Sequence, residues 1–361
     1  MLTKRILMGI IIVLQLSGCI STSIKEIPAE SIQNNILITD SLNREVKLPK
    51  YPERILITGL QTPMLINFFY LFPEAGGKLL AVENRVQTTK EFINILDNSI
   101  ATKMILEKGA GAEQIAPLNP DLIIMKDIMR DTVGIKLEEL EFSVVYLNFE
   151  TIERIKKDIS ILGEILNSQK RANEIISQIE KETVKISRQV SGIGLKPTVL
   201  LLQYSAQGGE NVFKVPPAHW LQTVMIEEAG GIPVWKDLNG SAGWNIITID
   251  QIAAWNAEFI FLVDYSGDPR EDVNNLIKNP VWNSLKATGL GQFIPFPKDH
   301  LSWDQPDPRW ILGLSWLAEK LHPELKDIYD EEKTLSNFFM FYYGLPEKVI
   351  NEKIISISIV D

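Results

Sequence analysis

The chain contains an internal repeat that constrains its architecture more than any other feature. The segment EQIAPLNPDLIIMKD, residues 113–127, aligns without a gap to DQIAAWNAEFIFLVD, residues 250–264. Each copy begins with an acid, continues with Gln-Ile-Ala and an asparagine, and ends in an apolar run. This order predicts a short helix that leads into a buried strand. Because the copies lie in different halves of the chain, they indicate two lobes that use the same structural unit at corresponding places.

Apolar runs rich in β-branched residues occur throughout both halves. Such runs, with little alternation of polar and apolar residues, are typical of parallel strands that helices cover on both faces. The runs are residues 54–59, 78–84, 120–127 and 142–149 in the first half, and 197–205, 257–266 and 291–297 in the second. A chain of 361 residues is too long for one typical core and suits two. The sequence therefore predicts an α/β fold with lobes at residues 36–167 and 192–329.

A helical pattern connects the two predicted lobes. Apolar residues keep helical spacing from residue 152 to residue 190, and Asn167 with Ser168 supplies a stop and a new start. The second part, residues 168–191, is long enough to connect two lobes as one helix. A coiled-coil segment is the alternative, although the stretch holds fewer than four heptads.

The N-terminal region has the pattern of an export signal. A positively charged start precedes an apolar stretch, residues 6–16, that is too short to span a bilayer as a helix. The sequence Leu-Ser-Gly-Cys at 16–19 resembles the lipobox of bacterial lipoproteins, in which the cysteine sulfur receives a diacylglycerol. We therefore expect residues 1–18 to be a signal peptide, Cys19 to be the lipidation site and residues 19–35 to be a flexible tether. An ordinary cleavage site followed by a free thiol is the alternative, and a disulfide is excluded because the chain has one cysteine.

Composition and motifs exclude several classes of function. A formal net charge of −10 disfavours nucleic acid or anionic lipid as the main partner. No glycine-rich phosphate loop follows a predicted strand, which argues against a nucleotide site. The three histidines lie outside nucleophile and zinc-hydrolase motifs, and their scarcity argues against a receptor for bare zinc or manganese; they are His219, His300 and His322. The sequence therefore predicts a binding protein rather than an enzyme.

A set of further segments, taken in chain order, points to one family. They are the opening ITDSLNREVKLPKYPERILITG, the two repeat copies, the central helix, VPPAHWLQTVMIEEAGGIPVWKD and SWDQPDPRWILGLSWLAEKLHPE. Together they resemble the substrate-binding proteins of ABC importers for ferric siderophores, haem and cobalamin, and the last two are most similar to a branch labelled iron transport. Some relatives in the wider group bind molybdate or tungstate. The resemblance implies two Rossmann-like α/β lobes joined by one long rigid α-helix, with a ligand cleft between the lobes.

Candidate ligand-binding residues follow from the predicted strands. Ligands of open parallel α/β sheets bind beyond the carboxyl ends of the strands, because the loops there leave a crevice. That rule selects residues in both lobes: Gln61, Arg85, Lys126, Tyr204 and Tyr265. Two segments, residues 211–220 and 302–310, have the composition of stiff exposed loops and are placed on the rim of the cleft. They add the remaining candidates: His219, Trp220, Trp303 and Arg309.

The predicted ligand is a ferric siderophore or a related metal complex. Arg85, Lys126 or Arg309 would supply positive charge to it, although Arg309 has the alternative of pairing with Asp304 or Asp307. Capture of molybdate or tungstate as an oxyanion is the second interpretation. A structural lipoprotein without a binding role is the alternative from another class. No cofactor is predicted, and no metal bound directly by the protein.

The resemblance also implies the partners. They are an ABC permease dimer with its ATPase subunits, reached by a monomeric receptor that is lipid-anchored on the extracytoplasmic side of the membrane. Family members carry one acid on the outer face of each lobe, which docks onto permease arginines, and Glu113 and Asp250 match these positions. Helix capping is the alternative role for both acids.

The last segment, residues 330–361, extends beyond the usual end of the family's domain. It is expected to pack as a helical extension on the outside of the second lobe. The side chains expected to be buried there are aromatic: Phe338, Phe339, Phe341 and Tyr342.

Overall fold

The protein folds into alternating strands and helices, as the sequence predicts. The computed structural model describes residues 35–83, 90–207, 210–238, 240, 243–325 and 331–359. Each apolar run singled out in the sequence contains a strand. Within the described part of the chain, no helix is both long enough and apolar enough to cross a bilayer.

The first lobe is built on short strands, most of which are parallel to their neighbours. They are β1 (Ile36–Thr39), β2 (Glu45–Leu48), β3 (Ile55–Ile57), β4 (Ala81–Glu83), β5 (Met104–Leu106), β6 (Leu122–Lys126) and β7 (Val144–Leu147). The central sheet has the parallel order β3-β6-β7, β4 pairs with β5 in parallel, and β1 and β2 form an antiparallel ribbon. The three central strands are buried along their whole length, as expected for parallel strands between helices. The helices of this lobe are α1 (Thr62–Phe69), α2 (Lys90–Leu96), α3 (Ala112–Ile115) and α4 (Ile135–Glu139).

Two helices follow β7 and precede the second lobe: α5 (Ile152–Ile165) and α6 (Gln169–Val190). The chain turns between them at Asn167, whose φ of 53° lies in the left-handed region that asparagine tolerates. A Cβ added to Gly163 would lie 2.6 Å from the Cβ of Ala172, so the close approach of α5 and α6 requires glycine. The bounds of α6 agree with the predicted central helix, while its role as the single connection between the lobes stays a prediction.

The second lobe has a six-stranded mixed sheet. Its strands are β8 (Thr198–Gln207), β9 (Glu210–Val215), β10 (Ile232–Pro233), β11 (Asn245–Ile247), β12 (Phe259–Val263) and β13 (Phe293–Pro295). The order is β11-β9-β8-β12-β13, with β10 also paired to β8; β9 and β11 are antiparallel to their neighbours and the other strands are parallel. The helices are α7 (Leu221–Glu228), α8 (Ile249–Trp255), α9 (Pro269–Leu276), α10 (Pro280–Asn283), α11 (Lys286–Gly289) and α12 (Trp310–Leu321).

Strand β9 corrects the expectation that residues 211–220 form an exposed loop. The first half of that segment pairs with the end of β8, and Phe213 lies opposite Tyr204 in the register. The Phe213 ring is buried 4.9 Å from the ring of Trp282 and 5.7 Å from that of Tyr204, measured between centroids. Alternation of exposed and buried side chains in ENVFKV is a strand signal. The two prolines that follow end the strand, and their composition concealed it at the sequence level.

The internal repeat folds in the same way in both lobes. Helix α3 leads through a 3₁₀ turn to β6, and helix α8 leads to β12. The asparagine of each copy ends the helical segment in the left-handed conformation, with φ of 45° at Asn119 and 42° at Asn256. Asparagine adopts this conformation at less cost than most residues, which explains its presence in both copies.

The acid two residues after each asparagine has the same role in both lobes. The Asp121 carboxylate accepts a hydrogen bond of 3.0 Å from the backbone N–H of Arg54, just before β3. The Glu258 carboxylate accepts one of 2.8 Å from the backbone N–H of Thr198, the first residue of β8. Each acid therefore ties the start of the repeat's strand to the start of the neighbouring parallel strand.

The C-terminal extension packs differently from the prediction. It contains α13 (Glu331–Tyr343) and α14 (Glu347–Lys353). Instead of lying on the second lobe alone, it reaches the first lobe, where the Tyr343 ring is 5.0 Å from that of Phe92 and the Tyr343 hydroxyl donates to the Asn67 carbonyl at 3.4 Å. It also pairs with the second lobe through Ile359 and Lys298. Phe92 gives the aromatic cluster an apolar partner that the outside of the second lobe would not.

The predicted burial of that cluster holds for three of its four members. Phe338, Phe339 and Tyr342 are buried, and Phe341 is half-buried. Arg171 of α6 donates to the carbonyls of Phe341 and Tyr342 at 2.7 and 3.0 Å. The end of α13 is therefore held by the central helix as well as by both lobes.

Candidate ligand-binding cleft

The two lobes contact each other through α1 and the segment that precedes α12. Asn67 of α1 donates a hydrogen bond of 2.5 Å from its side chain to Asp307 of the second lobe. Asn67 and Asp307 are both fully buried. Because ligands of parallel α/β sheets bind beyond the carboxyl ends of the strands, the strand-end residues of the two lobes are the candidate ligand-binding cleft.

At the end of β3, Gln61 stands where the sequence placed it. It begins α1 in the left-handed conformation, with φ of 56°, and is half-buried. Its side-chain Oε1 is buried, and no donor in the described part of the chain reaches it. Sequence analysis missed its neighbour Glu83, whose carboxylate accepts hydrogen bonds of 2.8 Å from the Thr58 hydroxyl and 2.7 Å from the N–H groups of Gly59 and Gly109. An acid at the last position of the strand-like run AVE was the available signal.

Lys126, the last residue of β6, also lies at the predicted edge, but its charge is already paired. The ammonium is 2.7 Å from Glu150 Oε1 and donates to the Asn148 carbonyl. Lys126 is 1% exposed, so this pairing offsets the cost of burying its charge. Glu150 follows β7 directly and was not among the predicted residues.

In the second lobe, the edge is organised around the buried carboxylate of Asp304. It accepts hydrogen bonds from the hydroxyls of Tyr265 and Ser302 at 2.7 and 2.6 Å, and from the Gln222 amide at 3.5 Å. Burial raises the pKa of Asp304, and these donors oppose the shift. Burial and the nearby Asp304 charge raise the pKa of Tyr265 well above its usual value. Tyr265 was predicted from its position after β12, whereas Gln222 was not.

A row of aromatic rings continues from Tyr265. The Trp244 ring lies 6.2 Å from that of Tyr265 and 5.7 Å from that of Trp220, both in edge-to-face arrangements. All three rings are half-buried, which leaves part of each available to a ligand. Trp244 was missed, although a tryptophan after a glycine-rich stretch signals an exposed loop. The predicted neighbour His219 is exposed.

Tyr204 lies within the β8–β9 pair. It is buried, and its hydroxyl donates to the Asn211 side chain at 3.0 Å. The hydroxyl therefore has a partner inside the sheet.

Trp303 and Arg309 are not on an exposed rim, which corrects the expectation for residues 302–310. Both side chains are 0% exposed. The Trp303 indole N–H donates to Asp299 at 3.1 Å, and the Arg309 guanidinium contacts Asp299 at 2.7 Å and Asp307 at 3.1 Å. The guanidinium also lies 4.1 Å above the Phe92 ring. A buried guanidinium requires such counter-charges, so the alternative of an Asp307 pair is confirmed.

The two predicted docking acids are exposed in the first turns of equivalent helices. Glu113 lies in α3 and Asp250 in α8. The start of α8 is capped by Thr248 and Gln251 in a capping box, so the N-cap role there does not need Asp250.

The predictions for Cys19 and Arg85 concern residues outside the described part of the chain.

One cavity lies away from the candidate cleft. It has a volume of about 590 Å³ and lies between α6, α12 and α13. Across the described ranges, no group of three or more His, Cys, Asp or Glu side chains is arranged to hold a metal ion.

Comparison with known proteins identifies the family. The model of the periplasmic binding protein family matches residues 87–300. An uncharacterized lipoprotein of Methanocaldococcus jannaschii is 25% identical over 316 residues, which cover 82% of this chain and 78% of that protein. The iron-uptake system-binding protein of Bacillus subtilis is 20% identical over 208 residues, 56% of this chain and 61% of that one.

A solved structure has the same fold. The molybdate-bound periplasmic binding protein MolA of Haemophilus influenzae superposes with a TM-score of 0.69 at 16% identity, covering 86% of this chain and 98% of its own. This likeness shows a two-lobed α/β fold. The chain belongs to the periplasmic binding protein family, the substrate-binding proteins of ABC transporters.

Proposed function

We propose that this protein captures a ferric siderophore or a related metal complex and delivers it to the permease of an ABC importer. The choice of ligand rests on one observation, the pairing of the cationic side chains of Lys126 and Arg309. Lys126 is paired with the half-buried Glu150, and Arg309 with the buried Asp299 and Asp307. An oxyanion needs several uncommitted donors or cations, and the charges of both side chains already have carboxylate counter-charges.

The aromatic row and the name of one relative support the same ligand class. Trp220, Trp244 and Tyr265 offer a contact surface suited to the organic part of a chelate. The Bacillus subtilis relative is an iron-uptake protein by name. Molybdate or tungstate remains the second candidate because MolA, which has the same fold, binds molybdate.

Calorimetric titration of the purified protein tests the ligand class. The panel contains ferric trihydroxamates, ferric tricatecholates, haem, corrinoids, molybdate and tungstate. We expect a ferric chelate to bind and the oxyanions to bind weakly or not at all. Molybdate binding without iron or an organic carrier would favour the second candidate, and failure of the whole panel would contradict the proposal.

We also propose that Cys19 carries a lipid that anchors the protein on the extracytoplasmic side of the membrane. The match to an archaeal lipoprotein supports this proposal. Cys19→Ser removes the chain's only thiol, so the variant should take up no label from cells grown with labelled fatty acid. Equal labelling of variant and wild type would contradict lipidation.

The proposed docking surface on the permease side comprises Glu113 and Asp250. Both acids are exposed and occupy equivalent positions of the repeat. Two negative charges on separate lobes could pair with basic residues on the two halves of a permease dimer.

A further inference from the structure

Besides Oε1 of Gln61, two more buried acceptor oxygens near the strand ends lack a hydrogen-bond donor among the described residues. They are Oε2 of Glu150 in the first lobe and Oε1 of Gln222 in the second, and no donor among the described residues reaches either one. An unsatisfied buried acceptor destabilises the folded state, because it has lost its hydrogen bond to water. Such atoms are therefore expected where a ligand supplies the missing donor.

The orientation of the Gln222 amide is determined by its neighbour. Its nitrogen faces Asp304 Oδ2 at 3.5 Å, and a carboxylate accepts hydrogen bonds when ionised. The amide oxygen must therefore point away from Asp304, where it has no donor. Gln222 is 3% exposed, so bulk water does not satisfy this oxygen.

Of the two carboxylate oxygens of Glu150, one has a partner among the described residues and the other does not. Oε1 contacts the Lys126 ammonium at 2.7 Å, and Oε2 is buried without a donor on a side chain that is 15% exposed. The Glu150 charge is among the causes that raise the pKa of Tyr265 in the other lobe. In the second lobe Tyr265 and Gln222 share Asp304 as an acceptor, and in the first lobe Glu150 pairs with Lys126, so one free oxygen lies at the strand-end edge of each lobe.

We propose that Glu150 and Gln222 bind the ligand by accepting hydrogen bonds, and that they select a metal complex with hydroxyl, amide or ammonium donors over an oxyanion. This assignment rests on the proposed function, because it assumes that the solute binds in the cleft. It also gives Glu150 a second role, since its charge neutralises Lys126 and so suppresses an anion site.

The second role of Glu150 predicts opposite changes in affinity for two classes of ligand. Glu150→Gln removes the counter-charge of a buried ammonium and replaces one acceptor with a donor. The variant should therefore lose affinity for a donor-bearing chelate and gain affinity for anions. Gln222→Met removes an acceptor without changing charge, so it should weaken chelate binding without improving anion binding.

The experiment measures tryptophan-fluorescence titrations with three probes: a ferric trihydroxamate with a pendant ammonium, an anionic ferric tricatecholate, and molybdate. We expect the wild type to prefer the trihydroxamate. Glu150→Gln should weaken this complex about tenfold, which corresponds to about 1.4 kcal/mol, and should tighten binding of at least one anionic probe. Glu153→Gln, which removes the same charge from an exposed position in the first turn of α5, should change nothing.

Several outcomes would overturn the assignment while leaving the proposed function intact. These are a wild type that prefers an anionic probe, or Glu150→Gln and Gln222→Met variants that keep the wild-type affinities. If Glu150→Gln does not fold, Gln222→Met alone decides, because it leaves the Lys126 pair untouched. A wild type that binds none of the three probes and no member of the larger panel overturns the proposed function and this assignment together.

Discussion

The two copies of the internal repeat have the same backbone but end in different side chains. Strand β6 of the first lobe ends at Lys126, and strand β12 of the second ends at Val263, the aligned position of the repeat. Both side chains are buried. A buried ammonium requires a counter-charge, which Glu150 supplies from the end of β7, whereas a buried valine requires none.

The second lobe obtains its polar groups from outside the repeat. Tyr265 lies just beyond β12, and Asp304 comes from the segment that follows β13. The partners of Asp304 are two hydroxyls and an amide, none of them charged. The strand-end edge of the first lobe therefore holds an ion pair, whereas that of the second lobe holds a buried acid bonded to neutral groups. The repeat specifies strand and turn geometry in both lobes, while residues outside it specify the chemistry of each edge.

The largest expected effect tests whether the two copies are equivalent on the outside of the molecule. Reversing both Glu113 and Asp250 to lysine places positive charges where the docking proposal requires negative ones. Uptake of ligand into cells should fall to background, because like charges would face the basic residues of the permease. Each single reversal should reduce uptake less than the pair does.

Two measurements separate docking from helix capping in that experiment. Ligand affinity and thermal stability of the double variant should match the wild type, because both acids are exposed and a charge near a helix start contributes only about 0.3–1 kcal/mol. Uptake that persists in the double variant would show that the acids only stabilise their helices.

The next effect concerns the ion pair that distinguishes the first lobe. Lys126→Met gives β6 an apolar end like that of β12 but leaves Glu150 unpaired. Breaking a buried pair in this way should cost about 3 kcal/mol of unfolding free energy, measured by urea denaturation. Lys156→Met, which breaks the more exposed pair with Glu180, is the control and should cost less than about 1 kcal/mol.

A double variant sharpens the same comparison. Lys126→Met with Glu150→Leu replaces both charges with apolar side chains, which makes the first edge resemble the second at this position. Most of the stability lost in Lys126→Met should return, because the unpaired charge is gone. A double variant less stable than Lys126→Met would show that the pair stabilises the lobe beyond satisfying its own burial.

The sequence predicted the parts of the molecule that depend on local pattern. The apolar runs, the helix at Gln169–Val190 and the repeat unit were correct because strand and helix periodicity is written in neighbouring residues. Lys126 and Tyr265 were found because the ends of parallel strands can be located from the runs alone.

The parts that failed depend on contacts between distant residues. Arg309 seemed exposed because its segment is polar and proline-rich, yet Asp299 and Phe92, far away in sequence, make its burial possible. The C-terminal aromatic cluster likewise packs on Phe92 of the first lobe. Glu150 and Gln222 carry no motif, and only the three-dimensional structure shows that one pairs with Lys126 and the other with Asp304.

The smallest expected effect tests whether the buried carboxylate of Asp304, in the second lobe, lacks a compensating charge. Burial raises the pKa of Asp304, so the native state binds this proton more tightly than the unfolded state. The stability that this proton contributes is present at low pH and is lost as pH rises through the native pKa. Asp304→Asn keeps the shape and cannot ionise. The variant should therefore match the wild type near pH 4 and have a higher unfolding free energy than the wild type at pH 8. Urea unfolding at both pH values measures the gap, and other titrating acids cancel because both proteins contain them. A variant that is less stable than the wild type at pH 8 would mean that the ionised carboxylate is compensated after all, and the contrast between the two edges would not hold.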